Sequence, residues 1–164
     1  MRAALITISS SKAAGEGHDE SGERLAALAA RIGVEIAGRE LIADDRELIE
    51  QRLRHWSGEG GCELVLTSGG TGVAPSDVTP EATLAVIERE VPGIAEALRQ
   101  SSRAHTKHWM LSRGVAGIRG GTLIVNLPGS PKAVTEAGDA IADALPHALE
   151  LIADRPSEHG GAPY

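Results

Sequence analysis

Two aspartates and two loops rich in glycine and proline carry the chemistry open to this chain. Leu64-Val65-Leu66-Thr67-Ser68-Gly69-Gly70-Thr71-Gly72 joins a short β-forming run to a glycine loop, and Asp77-Val78-Thr79-Pro80-Glu81-Ala82 follows within a few residues. Glycine lacks a Cβ, so the backbone there can bend sharply and bring N–H groups against a ligand. Successive N–H groups cradle an anion, and a nearby helix N-terminus adds a favourable dipole. Thr79 reads as N-cap, Pro80 as N1 and Glu81 as a first-turn carboxylate. Asp77 then stands at the rim of a phosphate site, where a carboxylate beside phosphates points to Mg²⁺ between them. The loop is not a Walker A motif, because no Gly-Lys-Ser/Thr follows, and it is not a G-x-G-x-x-G fingerprint. A plain glycine-rich surface turn is the competing reading of the residue types alone.

The elements that must position these groups alternate between strand and helix. Residues 3–8 read as a buried strand and the polar residues 9–20 as a loop. Leu25, Leu28, Ala29 and Ile32 form a helical stripe that stops at Gly33. Residues 34–43 read as a second strand, and Asp44-Asp45 opens a helix with Ile49, Leu53 and Trp56 on one face. After the glycine loop, Leu84, Ile87 and Val91 predict a helix, which Pro92-Gly93 separates from another carrying Ile94 and Leu98. Residues 101–108 are polar and basic. Residues 115–118 read as a minor strand that turns at Arg119-Gly120-Gly121 into the strand Thr122-Leu123-Ile124-Val125-Asn126. The loop Leu127-Pro128-Gly129-Ser130-Pro131 then leads to a long closing helix, interrupted near Pro146. This order predicts an α/β, three-layer fold, a mainly parallel sheet with helices on both faces. Residues 1–153 are expected to form a single domain and residues 154–164 a disordered tail. Ligands bind such sheets at the carboxyl ends of strands, so the loops starting at Ser9, Asp44, Ser68 and Pro128 should converge there.

Composition narrows the function classes. With 164 residues, 41% hydrophobic and 24% charged, the chain reads as one globular domain. It has no Phe, one Tyr and the two tryptophans Trp56 and Trp109, so its core must be aliphatic. A net charge of −7 argues against a nucleic-acid partner, though not against a small anionic ligand. No run reaches membrane-spanning length and the N-terminus lacks a signal-peptide layout, so a cytoplasmic protein without a membrane partner is expected. The single Cys62 reads as a small buried hydrophobe in a reducing compartment. His105 and His108 lack a partner at ligand spacing and read as non-metal; His18, His55, His147 and His159 read as surface residues.

Residues 5–152 resemble the molybdopterin adenylyltransferase family, the Mog/MoaB group that also occurs as a domain of gephyrin-type fusions. The resemblance rests on Thr67-Ser68-Gly69-Gly70-Thr71-Gly72, Asp77-Val78-Thr79-Pro80-Glu81-Ala82, Met110-Leu111-Ser112-Arg113, Ala116-Gly117-Ile118-Arg119 and Asn126-Leu127-Pro128-Gly129-Ser130-Pro131-Lys132-Ala133. It implies transfer of AMP from ATP, with Mg²⁺, to the terminal phosphate of molybdopterin. Asp44 and Asp77 match the family's essential acidic pair and are its expected catalytic and metal-binding residues. Ser68, Gly69, Gly70, Thr71, Gly72 and Glu81 fall in the phosphate-contacting segment. Ser102 and Ser112 match pterin contacts, and Pro128, Gly129, Ser130 and Pro131 match the second ligand loop. The family often carries Ser-Asp after the first strand, whereas this chain has Ser9-Ser10-Ser11. Lys107, Arg113, Arg119 and Lys132 could balance the pterin phosphate, although each taken singly reads as a solvated charge.

A homotrimer is expected from the resemblance and from the alanine-rich, aromatic-poor composition. Coupling to a molybdenum-insertion protein stays open. So do two rival readings, a non-catalytic pterin- or nucleotide-binding relative and a dinucleotide hydrolase of the same fold. In the transfer reading the nucleophile, the electrophile and the leaving group are all anionic. The protein must therefore align them and neutralise charge, which needs no protein nucleophile. Ser68 lacks the Gly-x-Ser-x-Gly elbow that would make it one.

Overall fold

The apolar run at the N-terminus becomes β1 (Arg2–Ile8), the second strand of a six-stranded sheet in a computed structural model that describes residues 1–153. The expected tail at 154–164 lies outside the described residues. β2 (Glu35–Ile42) and β3 (Leu64–Ser68) pair parallel with β1 on either side, and β6 (Thr122–Leu127) pairs parallel with β3. β5 (Ala116–Arg119) and the two-residue β4 (Arg89–Glu90) complete the order β2-β1-β3-β6-β5-β4 with antiparallel pairings. The four parallel strands carry the site; the antiparallel pair extends the sheet beyond them.

Alternate residues of the central strands feed two cores, as the pleat requires. Leu5, Leu64, Leu66, Leu123 and Val125 face α2 (Glu20–Arg31), α5 (Pro92–Ser102), α6 (Pro131–Ile141) and α7 (Leu145–Ile152). Ile6, Val65 and Ile124 face the other way, onto α3 (Arg46–Trp56) and α4 (Thr79–Leu84). Cys62 is buried in that second core, where desolvation raises its thiol pKa, consistent with a packing role.

Several boundaries differ from the expectation. The loop after β1 holds a one-turn helix, α1 (Ser10–Ala13), capped by Ser9. Asp45, not Asp44, caps α3 by accepting from Leu48 N–H at 2.9 Å. The helix expected through Leu84, Ile87 and Val91 ends at Leu84, which is exposed. The chain there turns to pair with β5 through Glu88 N–H to Ile118 O and Val91 N–H to Ala116 O, 2.8 Å each. Sheet pairing thus overrides a helix-like apolar spacing. Pro92 starts α5 at its first turn, where a missing N–H costs nothing, instead of only separating two helices. The closing helix divides into α6 and α7, with Pro146 in the first turn of α7. No helix among the described residues is long and apolar enough to cross a membrane.

Candidate active site

Because β1, β2, β3 and β6 run parallel, the segments that follow Ile8, Ile42, Ser68 and Leu127 emerge on one edge. Gly69 is their seam. Its φ of +103° is a backbone conformation that L side chains rarely adopt, and a Cβ there would overlap the Ile8 carbonyl oxygen. Its N–H donates to Leu127 O at 3.3 Å, and Gly129 packs against its Cα. Ser68 is fully buried and donates its hydroxyl to Pro128 O at 2.8 Å. The Ser68 side chain therefore ties the two loops together.

Beneath the glycine loop runs a buried polar chain. Asn126 Nδ2 donates to Thr67 Oγ1 and to Thr83 Oγ1, both at 3.0 Å, while Thr83 Oγ1 donates to Thr79 O at 2.9 Å. Thr79 Oγ1 donates to Gly69 O at 2.9 Å, and Thr79 N–H reaches Gly70 O at 3.1 Å. Thr79 is thus not the N-cap acceptor that its place before Pro80 predicts. It lies inside α4 and its hydroxyl clamps the loop. Reading Asn126 only as a motif residue, and Thr67 and Thr83 as strand and helix positions, gives no signal for this network. Every member is satisfied, which makes such a chain rigid where a half-satisfied one would be costly.

The two expected acidic residues face the same loop. Asp44 Oδ2 accepts from Ser10 N–H at 2.8 Å and Ser10 Oγ at 2.9 Å, and Ser10 Oγ accepts from Asp44 N–H at 2.9 Å. Asp44 Oδ1 accepts no hydrogen bond among the described residues and lies 3.2 Å from where a Cβ of Gly70 would stand. Asp77 Oδ2 accepts from Ala74 N–H at 2.8 Å and lies 2.8 Å from the corresponding point at Gly72. The bare glycines let both carboxylates approach the loop. Each keeps one oxygen free, and no group of three or more His, Cys, Asp or Glu that could hold a metal alone occurs among the described residues. Such a donor set fits Mg²⁺, which prefers hard oxygens and is commonly shared between one or two carboxylates and substrate phosphates.

Two hollows adjoin the loop. An open cleft of about 370 Å³ is lined by Gly70, Thr71, Gly72, Asp77, Gly129 and Ser130. A smaller cavity of about 120 Å³ holds Ser102 and Ser112 beside Trp109 and Asn126. His108, Ser112 and Pro128 line both. Ser102 donates its hydroxyl to Leu98 O at 3.2 Å and keeps acceptor capacity toward the cavity. Ser130 caps α6 by accepting from Ala133 N–H at 3.2 Å, and Pro131 occupies the first turn of that helix.

Glu81 does not face the cleft as a free carboxylate. It pairs with Arg113, whose guanidinium holds the Glu81 carboxyl below the usual range. Arg113 is therefore committed to the protein and unavailable as the phosphate-balancing charge considered above. Arg119 sits at the opposite end of β5, paired with Thr122 at the start of β6, and donates to Val86 O. Lys132 lies within 3.8 Å of Glu136, and Lys107 lines a separate open hollow with Arg103 and Trp109.

Residues 4–147 match the family described as "Probable molybdopterin binding domain". The chain is 46% identical over 114 residues to "Molybdenum cofactor synthesis protein cinnamon" of Drosophila melanogaster, covering 70% of this chain and 19% of that protein. It is 45% identical over 113 residues to "Molybdopterin adenylyltransferase" of Helicobacter pylori strain J99, covering 69% of this chain and 64% of that one. The match thus spans less than two thirds of either curated relative. A crystal structure of the molybdopterin biosynthesis enzyme MoaB from Thermus thermophilus superposes with a TM-score of 0.87 at 44% identity, covering 94% of this chain and 98% of the other. All four loops of the site lie inside the family match. The chain belongs to this molybdenum-cofactor biosynthesis family.

Proposed function

We propose that the protein is a molybdopterin adenylyltransferase, which moves AMP from ATP to the terminal phosphate of molybdopterin and releases pyrophosphate. The observation that carries this reading is the pair of half-free carboxylates, Asp44 and Asp77, set against Gly70 and Gly72 of one glycine loop. Loop N–H groups are suited to hold ATP phosphates in the open cleft, while Ser102 and Ser112 would receive the pterin phosphate in the adjoining cavity. His108, Ser112 and Pro128 belong to both hollows, so the attacking phosphate oxygen and the α-phosphorus can meet across them. Asp44 and Asp77 would hold Mg²⁺, which supplies charge neutralisation for the transferring group when bound. Ser10 orients Asp44 without adding a charge, so this chain works with two loop carboxylates where the family often has a further Asp.

A cytoplasmic homotrimer is part of the same reading. Val73, Met110 and Leu111 are exposed on the segments flanking the cleft and offer apolar surface that assembly would cover. Handover of the adenylylated product to a molybdenum-insertion protein would follow from its chemistry as an activated intermediate.

Asp44→Asn and Asp77→Asn test the reading, because each keeps the side-chain shape and removes the charge. Each variant should melt near the wild-type temperature, still bind molybdopterin, and lose at least about a hundredfold in adenylylation rate, about 2.7 kcal/mol of transition-state stabilisation. A variant adenylylating at the wild-type rate would remove that aspartate from the mechanism. Replacing Ser102 and Ser112 together by Ala should weaken molybdopterin binding by about 1.5–3 kcal/mol per lost charged hydrogen bond and spare ATP binding. Equal loss for both ligands in calorimetry would contradict the assignment of the two hollows.

A further inference from the structure

Asp77 sits at the end of an irregular turn whose middle, residues 73–76, is exposed. Within the turn, Asp77 N–H donates to Ala74 O and Ala74 N–H to Asp77 Oδ2, so these bonds fix its shape but not its place on the sheet. The Thr79 bonds to Gly69 O and Gly70 O close the base of the turn, and Arg113 holds its two ends. Its Nε donates to Gly72 O at 2.6 Å and its Nη2 to Asp77 O at 2.7 Å, one bond at each end of the turn. Its Nη1 pairs with the Glu81 carboxylate in α4. Its own backbone N–H donates to Thr71 O at 2.8 Å. One planar, rigid fork thus spans three acceptors that a lysine ammonium cannot reach together. The preceding residue, Ser112, lines the neighbouring cavity, and Arg99 fixes the following one through Gly114 O at 3.0 Å.

We propose that Arg113 is a positioning residue for the transfer step, clamping both ends of the 72–77 turn so that the placement of Asp77 depends on the segment supplying Ser112. The proposal rests on the role given to Asp77 above. It makes the guanidinium's shape, and not its charge, the property that matters. It also makes Glu81 the partner that keeps the fork in orientation.

The full chain carrying Arg113→Lys, Glu81→Gln or both separates these properties in two measurements. The first is steady-state kinetics with Mg-ATP and molybdopterin. The second is amide hydrogen exchange across residues 71–78 in the ligand-free protein. Arg113→Lys should lower kcat about tenfold or more while the KM for molybdopterin stays within about twofold, since a small displacement of a reacting group is costly. Exchange at residues 73–78 should speed up about tenfold, with exchange in β1 and β3 unchanged. Glu81→Gln should shift both readouts the same way by less, and the double variant should be no worse than Arg113→Lys alone, the non-additivity of residues acting as one unit. A Lys variant with wild-type kcat, or unchanged exchange at 73–78, overturns the proposal. If Arg113→Lys does not fold, Glu81→Gln decides, and unaltered exchange there also overturns it. A wild-type protein that fails to adenylylate molybdopterin counts against the proposed function, while the exchange data still judge the clamp.

Discussion

At the residue scale, neighbouring aspartates do different work. Asp45 accepts from Leu48 N–H and starts α3, whereas Asp44 accepts from Ser10 and turns its second oxygen to the glycine loop. Asp45→Ala should therefore lower stability by about 0.5–2 kcal/mol and leave the adenylylation rate per folded molecule intact. Thermal melts beside initial rates will check this, and a rate loss without a stability loss would reverse the two roles. Glu81 offers a pH test. Its carboxyl is held low by Arg113, so its contribution to stability is present above the ordinary Glu range and is lost as pH falls through its folded-state pKa. The melting temperature of Glu81→Gln should lie below wild type at pH 7, and the gap should shrink as pH falls from the ordinary Glu range through the lowered folded-state pKa. The gap should be small, because the Glu81 side chain is 41% exposed. A gap that widens in acid would mean that the ion pair does not set this titration.

At the element scale, the glycine loop is built from what its residues lack. Gly70 has a φ of +63°, and a Cβ there would overlap Thr79 Oγ1 and approach Asp44 Oδ1. Gly70→Ala should lower the melting temperature and the adenylylation rate together, by disturbing the Thr79 clamp and the acidic pair at once. A melt and a rate both at wild-type values would mean that the loop has room the geometry denies. This part of the site is legible in the sequence, because a β run, a glycine cluster and Asp-x-Thr-Pro-Glu-Ala each have local physical causes. The strand ends are legible for the same reason, and with them the convergence of the four loops. Long-range pairing is not. Ser68 to Pro128, Asn126 to Thr83 and Arg113 to Gly72 join residues more than forty positions apart, and spacing along the chain carries no trace of such partners. Arg113 reads as a spare cation because the acceptors that consume it lie on another loop. β4 escapes a reading by periodicity because Leu84, Ile87 and Val91 have helical spacing, while sheet pairing with β5 decides the backbone.

At the scale of the whole molecule, a sheet order of β2-β1-β3-β6 gathers four loops on one edge, and two adjoining hollows there share His108, Ser112 and Pro128. The homotrimer proposed above predicts a trimer mass in sedimentation at micromolar concentration; a mass equal to one chain would contradict that assembly. The central claim is that the adenylyl group of ATP is what moves to the pterin, and isotope placement reads it directly. The protein is incubated with Mg²⁺, molybdopterin and ATP labelled either at the α- or at the γ-phosphorus, and the products are separated. The account predicts that α-label moves into a pterin product in step with protein amount, and that γ-label leaves as pyrophosphate. Label found only in free AMP, or retained in ATP with molybdopterin bound, would contradict it.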